Sequence, residues 1–535
     1  MVTKSNLQDA YNSFLKDSLS FNLYLSAADL SEKLVNRFSI SSEYARKILS
    51  RAVKANIIKS SDPYTFGKNQ FVYMDNGYIL NKESIKIVCK ISRPPIYRLL
   101  EIMDKNKGVI SFYEALKITS SPLEKSSTKV TSLEDILSLL SKLNLIYQAS
   151  YKNIAFIIYR DEGEKLNEIL ENVKMENHFA KMVTDSCVMP DILRWLGNSN
   201  LINNTNNIYR NKKTPHIGAK HNNLVWDAFA YTKTTGINTT LGAKADTLDK
   251  QTLVVLDVIL SQEYLEENLD GFYDRIQINR NSVKTNTRKI LPIIIYKSCS
   301  DYTRNKINKL GFMAFDISSI FGTRIYEILN KTEELNTLLQ GDDIEKTVGN
   351  ILKTIRNAGQ EDALKDLKGT LFEFLMYPLL SSIYPASKII RGKTLTALDS
   401  QGRKEYYEYD YIIESGNPEE TTFVELKGYN SAATISLGDY EKKSTLKWFF
   451  ARTLPFAIKQ YKNKNPEVNA KALYITSANF WEDGKKYLQS LSTGKLKPSL
   501  LNIAYDRDDL LELLNQRGFT NEIKIIETFY TKDNE

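Results

Sequence analysis

Two short segments in the C-terminal third of the chain have the hydrophobic and polar pattern of neighbouring β-strands. Residues 406–413 are YYEYDYII and residues 421–427 are TTFVELK, with a Gly-Asn-Pro sequence between them. Apolar-rich runs joined by turn residues predict an antiparallel hairpin. Side chains alternate between the faces of a strand, so Glu425 and Lys427 are expected on one face. Asp410 on the preceding strand is expected beside them.

The pattern around this hairpin predicts further elements in a regular order. A helix that carries Glu373 is expected before it, and a helix is expected after it at residues 444–461. Residues 471–477 (KALYITS) and 501–505 (LNIAY) predict two more strands.

The side chains expected at the hairpin suit phosphodiester hydrolysis. Carboxylate oxygens bind hard divalent cations, which activate water and neutralise phosphate charge. A neighbouring ammonium can orient the nucleophile or stabilise the transition state. The alternative is a solvated cross-strand salt bridge. Apolar neighbours such as Phe423 and Val424, together with Asp410 on the preceding strand, favour a site over that alternative.

Asp410, the Glu-Leu-Lys triplet at residues 425–427 and the upstream Glu373 together resemble the PD-(D/E)xK nuclease superfamily, which has the restriction-endonuclease-like fold. Between about residues 344 and 530 the resemblance implies the element order helix, three strands, helix, strand, helix, strand. It implies a Mg²⁺-dependent endodeoxyribonuclease, in which Mn²⁺ can substitute for Mg²⁺. It implies that Asp410, Glu425 and the carbonyl of Leu426 bind metal, with Glu373 as a further ligand directly or through water. It also implies that Lys427 positions the attacking hydroxide.

The N-terminal region has a different pattern. Residues 27–38 and 42–55 have helical apolar spacing, and residues 57–73 predict a hairpin with bends at 62–63 and 67–68. Helix, turn, helix and two-stranded wing is the winged-helix arrangement, whose second helix enters a DNA groove. A second arrangement of similar form is predicted between residues 96 and 160.

Positive charge is concentrated in the N-terminal region, above all at residues 46–98, which hold 11 Lys and Arg against three Asp and Glu. Residues 1–160 hold 23 Lys and Arg against 14 Asp and Glu, a balance of +9, whereas residues 161–535 hold 49 against 50. A local cationic surface is typical of nucleic-acid binding, although a soluble basic domain or a protein-docking module could have one too. The second arrangement is less basic and is a candidate spacer or docking surface. The candidate DNA contacts are Arg46, Lys47, Arg51, Lys54, Lys59 and Lys68.

The sequence pattern of the middle region resembles a degenerate copy of the C-terminal third. Residues 161–200 predict helices, and the polar residues 201–223 predict a loop or mobile segment. The strands that follow carry Asp227 and Asp257, which align with Asp410 and Glu425. Residues 295–298 align with 474–477, and residues 314–316 with 504–506.

Ile259 takes the position of Lys427 in this alignment, so the middle copy is predicted to be inactive. Two alternatives remain open. The first is an unorthodox site with a lysine recruited from elsewhere, such as Lys233. The second is that the two regions are unrelated, because strand and helix alternate in any α/β domain.

Composition narrows the class of protein further. The chain is 42% hydrophobic and 25% charged, which is ordinary for a globular protein. No run approaches the ~20 apolar residues that span a bilayer, and the N-terminus lacks a signal-peptide core, so a cytoplasmic protein without membrane contact is expected. The three cysteines and three histidines are scattered, which argues against a zinc finger.

The sequence therefore predicts a multidomain α+β and α/β protein. The predicted domains are a winged-helix-like DNA-binding domain (1–90), a second winged-helix-like domain (91–165), a degenerate nuclease-like α/β domain (166–340) and a restriction-endonuclease-like α/β domain (341–535). The expected function is DNA cleavage in restriction, phage defence or mobile-element processing, with double-stranded DNA as partner. A homodimer or a partner protein bound through the central domain is also expected. The alternatives are a non-catalytic DNA-binding regulator or scaffold, and an RNA nuclease.

Overall fold

The computed structural model describes residues 1–535 except 1–3, 23, 67–70, 125–129, 161–167, 204–207, 234–250, 282–288, 338–342, 399–400, 403, 443–444 and 532–535. The described residues form a multidomain α+β protein with two compact units. Unit 1 comprises Met1–His178, Lys220–Val225 and Leu265–Thr287, and unit 2 comprises Phe179–Ala219, Trp226–Tyr264 and Arg288–Glu535. The four-domain division is finer than these two units and stays a prediction.

Helices and strands are numbered in chain order. The helices are α1 (Lys4–Phe21), α2 (Ala27–Phe38), α3 (Ser42–Lys54), α4 (Lys82–Ser92), α5 (Pro94–Lys105), α6 (Phe112–Thr119), α7 (Leu133–Lys142), α8 (Glu168–Cys187), α9 (Met189–Asn198), α10 (Glu266–Asn281), α11 (Asp301–Lys309), α12 (Ile317–Phe321), α13 (Ile325–Thr337), α14 (Ile344–Asn357), α15 (Lys365–Ile383), α16 (Leu454–Lys462), α17 (Glu482–Ser492), α18 (Arg507–Gln516) and α19 (Thr520–Phe529). A π-helical segment, Trp448–Thr453, precedes α16. The strands are β1 (Leu25–Ser26), β2 (Lys59–Ser60), β3 (Val72–Met74), β4 (Val109–Ser111), β5 (Ile146–Tyr151), β6 (Ile154–Tyr159), β7 (Ile208–Tyr209), β8 (Ala219–His221), β9 (Leu224–Trp226), β10 (Ala228–Thr232), β11 (Thr252–Tyr264), β12 (Ile290–Cys299), β13 (Met313–Asp316), β14 (Lys388–Leu398), β15 (Lys404–Gly416), β16 (Glu419–Lys427), β17 (Thr434–Ile435), β18 (Ala470–Thr476), β19 (Asn479–Phe480) and β20 (Ala504–Tyr505).

Unit 1 contains the same arrangement of elements twice. In the first, α1, β1, α2, α3, β2 and β3 follow one another, and the sheet order is β1-β3-β2. In the second, α5, β4, α6, α7, β5 and β6 follow one another, and the sheet order is β4-β6-β5. The strand pairs are antiparallel in both sheets. The predicted helices at 27–38 and 42–55 are thus observed as α2 and α3.

Helix α3 has a clear start and a clear apolar face. The side chain of Ser41 accepts a hydrogen bond from the backbone N–H of Tyr44, which caps the first turn. The buried side chains of the helix recur at helical spacing and leave the opposite face to solvent. They are Ala45, Ile48, Leu49 and Ala52.

Unit 2 contains two sheets with the same plan in the described part of the chain. Their strand orders are β7-β10-β11-β12-β13 and β14-β15-β16-β18-β20. In each sheet the first two neighbouring pairs are antiparallel and the last two are parallel. The C-terminal sheet, with α15 before it, follows the element order that the sequence predicts. Buried residues of both sheets and of α15 belong to one hydrophobic core.

The registers relate the two sheets residue by residue. Asp227 lies one position beyond the pair formed by Ala228 and Leu256. Asp410 likewise lies one position beyond the pair formed by Tyr411 and Val424. The two aspartates therefore take equivalent positions, as the internal alignment predicts.

One part of the internal alignment is wrong by a single residue. Asp257 pairs with Ile294 in the parallel ladder, and Glu425 pairs with Tyr474. Ile294, rather than Ile295, therefore corresponds to Tyr474. The residues of both strands near this point are apolar and buried, so their sequences offer no marker of register.

The prediction of a loop or mobile segment at residues 201–223 is also wrong in part. Strand β7 pairs with β10, and β8 pairs with β9. Residues 204–207 lie outside the described residues. None of the helices in the described ranges has the length and apolar character to cross a bilayer.

Candidate active site

Asp410 lies where the β15–β16 ladder ends. Its Oδ2 accepts a hydrogen bond of 2.6 Å from the backbone N–H of Leu426. The carboxylate therefore takes the place of a backbone acceptor beside β16. The carbonyl of Leu426 faces the same edge of the strand as its N–H, because both groups of an extended residue point the same way. Asp410 is 2% exposed, so its charge needs nearby partners.

Glu425 and Lys427 are in direct contact, as strand alternation predicts. The Lys427 ammonium donates a hydrogen bond to Oε1 of Glu425. The side chain of Glu425 is only 12% exposed and that of Lys427 only 21%. The pair is therefore not the solvated surface bridge that the alternative interpretation requires, yet it keeps limited access to solvent.

Helix α15 carries Glu373 against the sheet. The hydroxyl of Tyr411 donates a 2.9 Å hydrogen bond to the backbone carbonyl of Glu373, which ties the helix to β15. The start of the helix is held by Asp191, whose two carboxylate oxygens accept the N–H groups of Asp366 and Leu367 at 3.1 Å each. A carboxylate at a helix N-terminus also complements the helix dipole. Nothing in the local sequence indicates this distant cap.

Two lysines that the sequence analysis missed complete the cluster. Lys213 donates to Oδ1 of Asp410, and Lys212 forms a 3.0 Å ion pair with Oε1 of Glu373. Both lysines follow β7, in the segment predicted to be a loop. The sequence shows these residues only as two adjacent lysines in a polar stretch. Such pairs are common on protein surfaces, so they indicate a functional site only weakly.

The charges of the cluster act on one another. Burial alone would lower the pKa of Lys213, but the charge of Asp410, followed by those of Glu373, Glu408 and Glu425, raises it. Lys213 therefore stays protonated near four carboxylates.

Burial alone would raise the pKa of Asp410, but Lys213 and then Lys427 lower it to about 2. The pKa of Glu425 is raised by burial and by the charge of Asp410, against the effect of Lys427. Asp410 is thus held as an anion, whereas Glu425 takes up a proton more readily than an exposed glutamate does.

The oxygen atoms of the cluster are of the chemical type that binds a hard divalent cation. Carboxylate and carbonyl oxygens are the ligands that Mg²⁺ prefers. The Lys213 ammonium also places a positive charge against Asp410. Among the described residues, however, no group of three or more His, Cys, Asp or Glu side chains is arranged to hold a metal ion. Metal binding therefore stays a prediction for Asp410, Glu425, Glu373 and the Leu426 carbonyl.

The corresponding position in the other sheet of unit 2 is built differently. Asp227 accepts the N–H of Val258 at 2.8 Å, which matches the bond between Asp410 and Leu426. Its second oxygen lies 3.5 Å from Arg210, and both side chains are 1% exposed. Asp257 accepts a 3.0 Å hydrogen bond from the hydroxyl of Tyr264.

The sequence analysis considered two positions for a lysine beside Asp227 and Asp257. They are residue 259, which is isoleucine, and Lys233. Ile259 is buried. Lys233 follows the end of β10 opposite to Asp227. The cation that the structure places at Asp227 is instead Arg210.

The candidate DNA contacts lie in unit 1. Five of the six side chains are exposed: Arg46, Lys47, Arg51, Lys54 and Lys59. Lys68 lies outside the described residues. Four of these side chains lie on α3, and Lys59 lies at the start of β2.

Comparisons with known proteins give little further information. The chain matches no family model and no curated protein. A solved structure, the crystal structure of protein VC1899 from Vibrio cholerae, is similar at 12% identity and a TM-score of 0.21, over 48% of this chain and 82% of that one. A likeness of this size supports neither a fold assignment nor a function.

Proposed function

We propose that this protein is a metal-dependent endonuclease that binds duplex DNA through unit 1 and cleaves it at the Asp410 cluster. The observation that carries the proposal is that Asp410 accepts the N–H of Leu426, which lies between the contacting side chains of Glu425 and Lys427. The adjacent lysines 212 and 213 contact Glu373 and Asp410, which brings Glu373 into the same cluster. Perturbed titratable groups in a partly accessible cluster are typical of functional sites. The winged-helix and nuclease-like assignments are part of the same proposal.

The residues of the cluster have distinct roles in this proposal. Asp410, Glu425 and the Leu426 carbonyl would hold Mg²⁺ or Mn²⁺, with Glu373 as a further ligand. When bound, the ion would supply an activated water and neutralise phosphate charge. Lys427 remains protonated because Glu425 and Asp410 raise its pKa against the effect of burial. Its ammonium can therefore orient the nucleophile or donate to a phosphate oxygen.

A second candidate is a non-catalytic DNA-binding scaffold. It is favoured by the observation that Asp410, Glu373 and Glu425 each contact a lysine within the chain. Such a network could be purely structural, since buried charges must be paired. In that case divalent metal would change nothing and Asp410 would be dispensable for function.

A plasmid-nicking assay with Mg²⁺ or EDTA separates the two candidates. The endonuclease should nick plasmid only with the metal, and Lys427→Ala or Asp410→Ala should lower the rate at least about a hundredfold. DNA affinity should stay close to that of the wild type, because binding is assigned to unit 1. Lys471→Ala is the matched control, since Lys471 lies on the neighbouring strand and donates to the carbonyl of Lys495. Equal nicking by folded Lys427→Ala and wild type would refute the endonuclease.

A further inference from the structure

Residues 210–213 contribute positively charged side chains that contact acidic residues in both sheets of unit 2 and in α15. Arg210 lies against Asp227. Two and three residues later, Lys212 lies against Glu373 and Lys213 against Asp410. The segment is itself ordered, because Asn211 accepts the N–H of Lys213 at 2.9 Å and donates to Glu408 at 3.0 Å. Lys213 is therefore held in place rather than lying loosely on a surface.

The C-terminal sheet leaves room for the Lys213 side chain. Gly392 on β14 lies opposite Asp410 in the register, between the pairs made by Arg391 and Lys393. A Cβ atom added at Gly392 would meet Cγ of Lys213 at 3.3 Å and its Cβ at 3.4 Å. Gly392 also has a φ of +65°, a conformation that glycine adopts most easily. The strand thus has a glycine where the lysine approaches Asp410.

We propose that Lys213 is a tethered cation that closes the candidate active site, and that it must leave Asp410 before a divalent cation can bind there. The inference rests on the proposed function, because it takes Asp410 as a metal ligand. The ammonium lies on Oδ1 while the Leu426 N–H holds Oδ2, so both carboxylate oxygens already have partners. A cation that binds Asp410 therefore competes with Lys213.

The anchor at Arg210 limits the movement that this opening requires. Arg210 stays beside Asp227 and also donates to the carbonyl of Pro215, so the residues between these two positions can shift while the ends stay fixed. The displaced ammonium would remain near the site, where it could meet a phosphate. Lys213 then acts as an autoinhibitory contact in the metal-free protein.

Calorimetric titration with Mn²⁺, in the absence of DNA, tests the competition directly. Lys213→Ala should bind Mn²⁺ about tenfold more tightly than the wild type or better, because it removes the state that excludes the metal. Lys213→Arg keeps the charge and should bind close to the wild type. Lys471→Ala, which changes a lysine elsewhere in the same sheet, should also be unchanged.

The outcomes separate this inference from the proposed function. Equal Mn²⁺ affinity of Lys213→Ala and wild type, with binding lost in Asp410→Ala, would overturn the inference alone. Absence of Mn²⁺ binding in all of these proteins would overturn both. Tight binding by Lys213→Ala together with weak binding by the wild type would support both.

A second measurement covers the case in which Lys213→Ala does not fold. Amide hydrogen exchange of residues 211–214 in the wild-type protein should become faster when Mn²⁺ is added, because these residues are released from Asp410. Asp410→Ala should show no such Mn²⁺-dependent change. Unchanged exchange in a wild-type protein that has bound Mn²⁺ would overturn the inference.

Discussion

Two aspartates in equivalent positions have different neighbours, and this difference decides what each can do. Asp410 and Asp227 accept the same type of backbone hydrogen bond. Asp410 faces lysines in a cluster with partial solvent access, whereas Asp227 faces a fully buried arginine. A guanidinium is always charged, and separating a buried pair is costly. We therefore expect Asp227 to be structural.

The same reasoning predicts the behaviour of Asp257. Asp257→Asn keeps an acceptor for the Tyr264 hydroxyl, so cleavage should be unchanged within experimental error. Glu425→Gln makes the same carboxylate-to-amide change at the corresponding position and should abolish cleavage. Plasmid nicking by the two purified variants provides the comparison. If folded Asp257→Asn were as inactive as Glu425→Gln, both sheets would have to be counted as catalytic.

At the scale of single residues, the local sequence pattern predicted some of the side-chain contacts around Asp410 but not all of them. The contact of Glu425 with Lys427 follows from strand alternation over two residues. The contact of Lys212 with Glu373 joins residues 161 positions apart, and that of Lys213 with Asp410 joins residues 197 positions apart. Strand or helix periodicity carries no information about such contacts, so a single sequence could not have revealed them.

At the scale of elements, the position of α15 depends on a close approach to the end of β16. A Cβ atom at Gly428 would overlap the side chain of Phe372 on α15 and would lie 3.1 Å from Cε1 of Tyr530. Only glycine therefore allows the helix that carries Glu373 to pack this near the strand that carries Lys427.

Gly428→Ala should consequently displace α15 or strain the core. We expect a loss of roughly 1–3 kcal/mol in the free energy of unfolding, which is typical of overpacking, and slower cleavage. Gly416→Ala is the control, because a Cβ atom there has no neighbour within 4 Å in the described structure. Urea unfolding and plasmid nicking of the two variants check the prediction. Equal stability of both would show that α15 tolerates the added methyl group.

Element bounds were predicted better than the type of helix within them. Residues 446–462 form one helical run, close to the helix predicted at residues 444–461, but Trp448–Thr453 are π-helical and α16 begins at Leu454. Pro455 explains the change, because it lacks the N–H that would continue the α-helical ladder to the preceding turn. The apolar spacing on either side of the proline predicted the continuous helix but not its π-helical turns.

At the scale of the whole molecule, unit 1 could not be delimited from the sequence. It includes Leu265–Thr287, which are separated in the chain from its first 178 residues. Contacts within the unit explain this: Arg98 pairs with Asp274 at 2.8 Å, and the hydroxyl of Ser120 donates to the carbonyl of Gly271 at 2.9 Å. The sequence suggested that residues 166–340 form one domain because strands and helices alternate there.

The two repeats of unit 1 share a core pattern but carry opposite charges at two equivalent helix positions. The buried residues of α7 (Leu133, Ile136, Leu137 and Leu140) have the same spacing as those of α3. By this spacing, Arg46 and Lys47 correspond to Glu134 and Asp135, all of which are exposed. Phosphate attracts the first helix and repels the start of the second. We therefore expect DNA binding to depend on α3 and not on α7.

This expectation can be tested by removing charge from each repeat. Replacing Arg46, Lys47, Arg51 and Lys54 with alanine should weaken DNA binding and flatten its salt dependence. For every phosphate that the variant no longer neutralises, the log–log slope should fall by roughly 0.9 on duplex DNA, measured between ~50 and ~200 mM salt.

A matched control removes the same charge from exposed lysines of the second repeat: Lys105, Lys107, Lys142 and Lys152. Both variants lose the same net charge, but only the α3 variant loses the proposed contacts with the DNA groove. The slope of the control should therefore stay close to that of the wild type. A smaller slope in both variants would indicate diffuse attraction by the whole unit. An unchanged slope in a folded α3 variant would place the DNA contact elsewhere, and unit 1 would then be better explained as a protein-docking module.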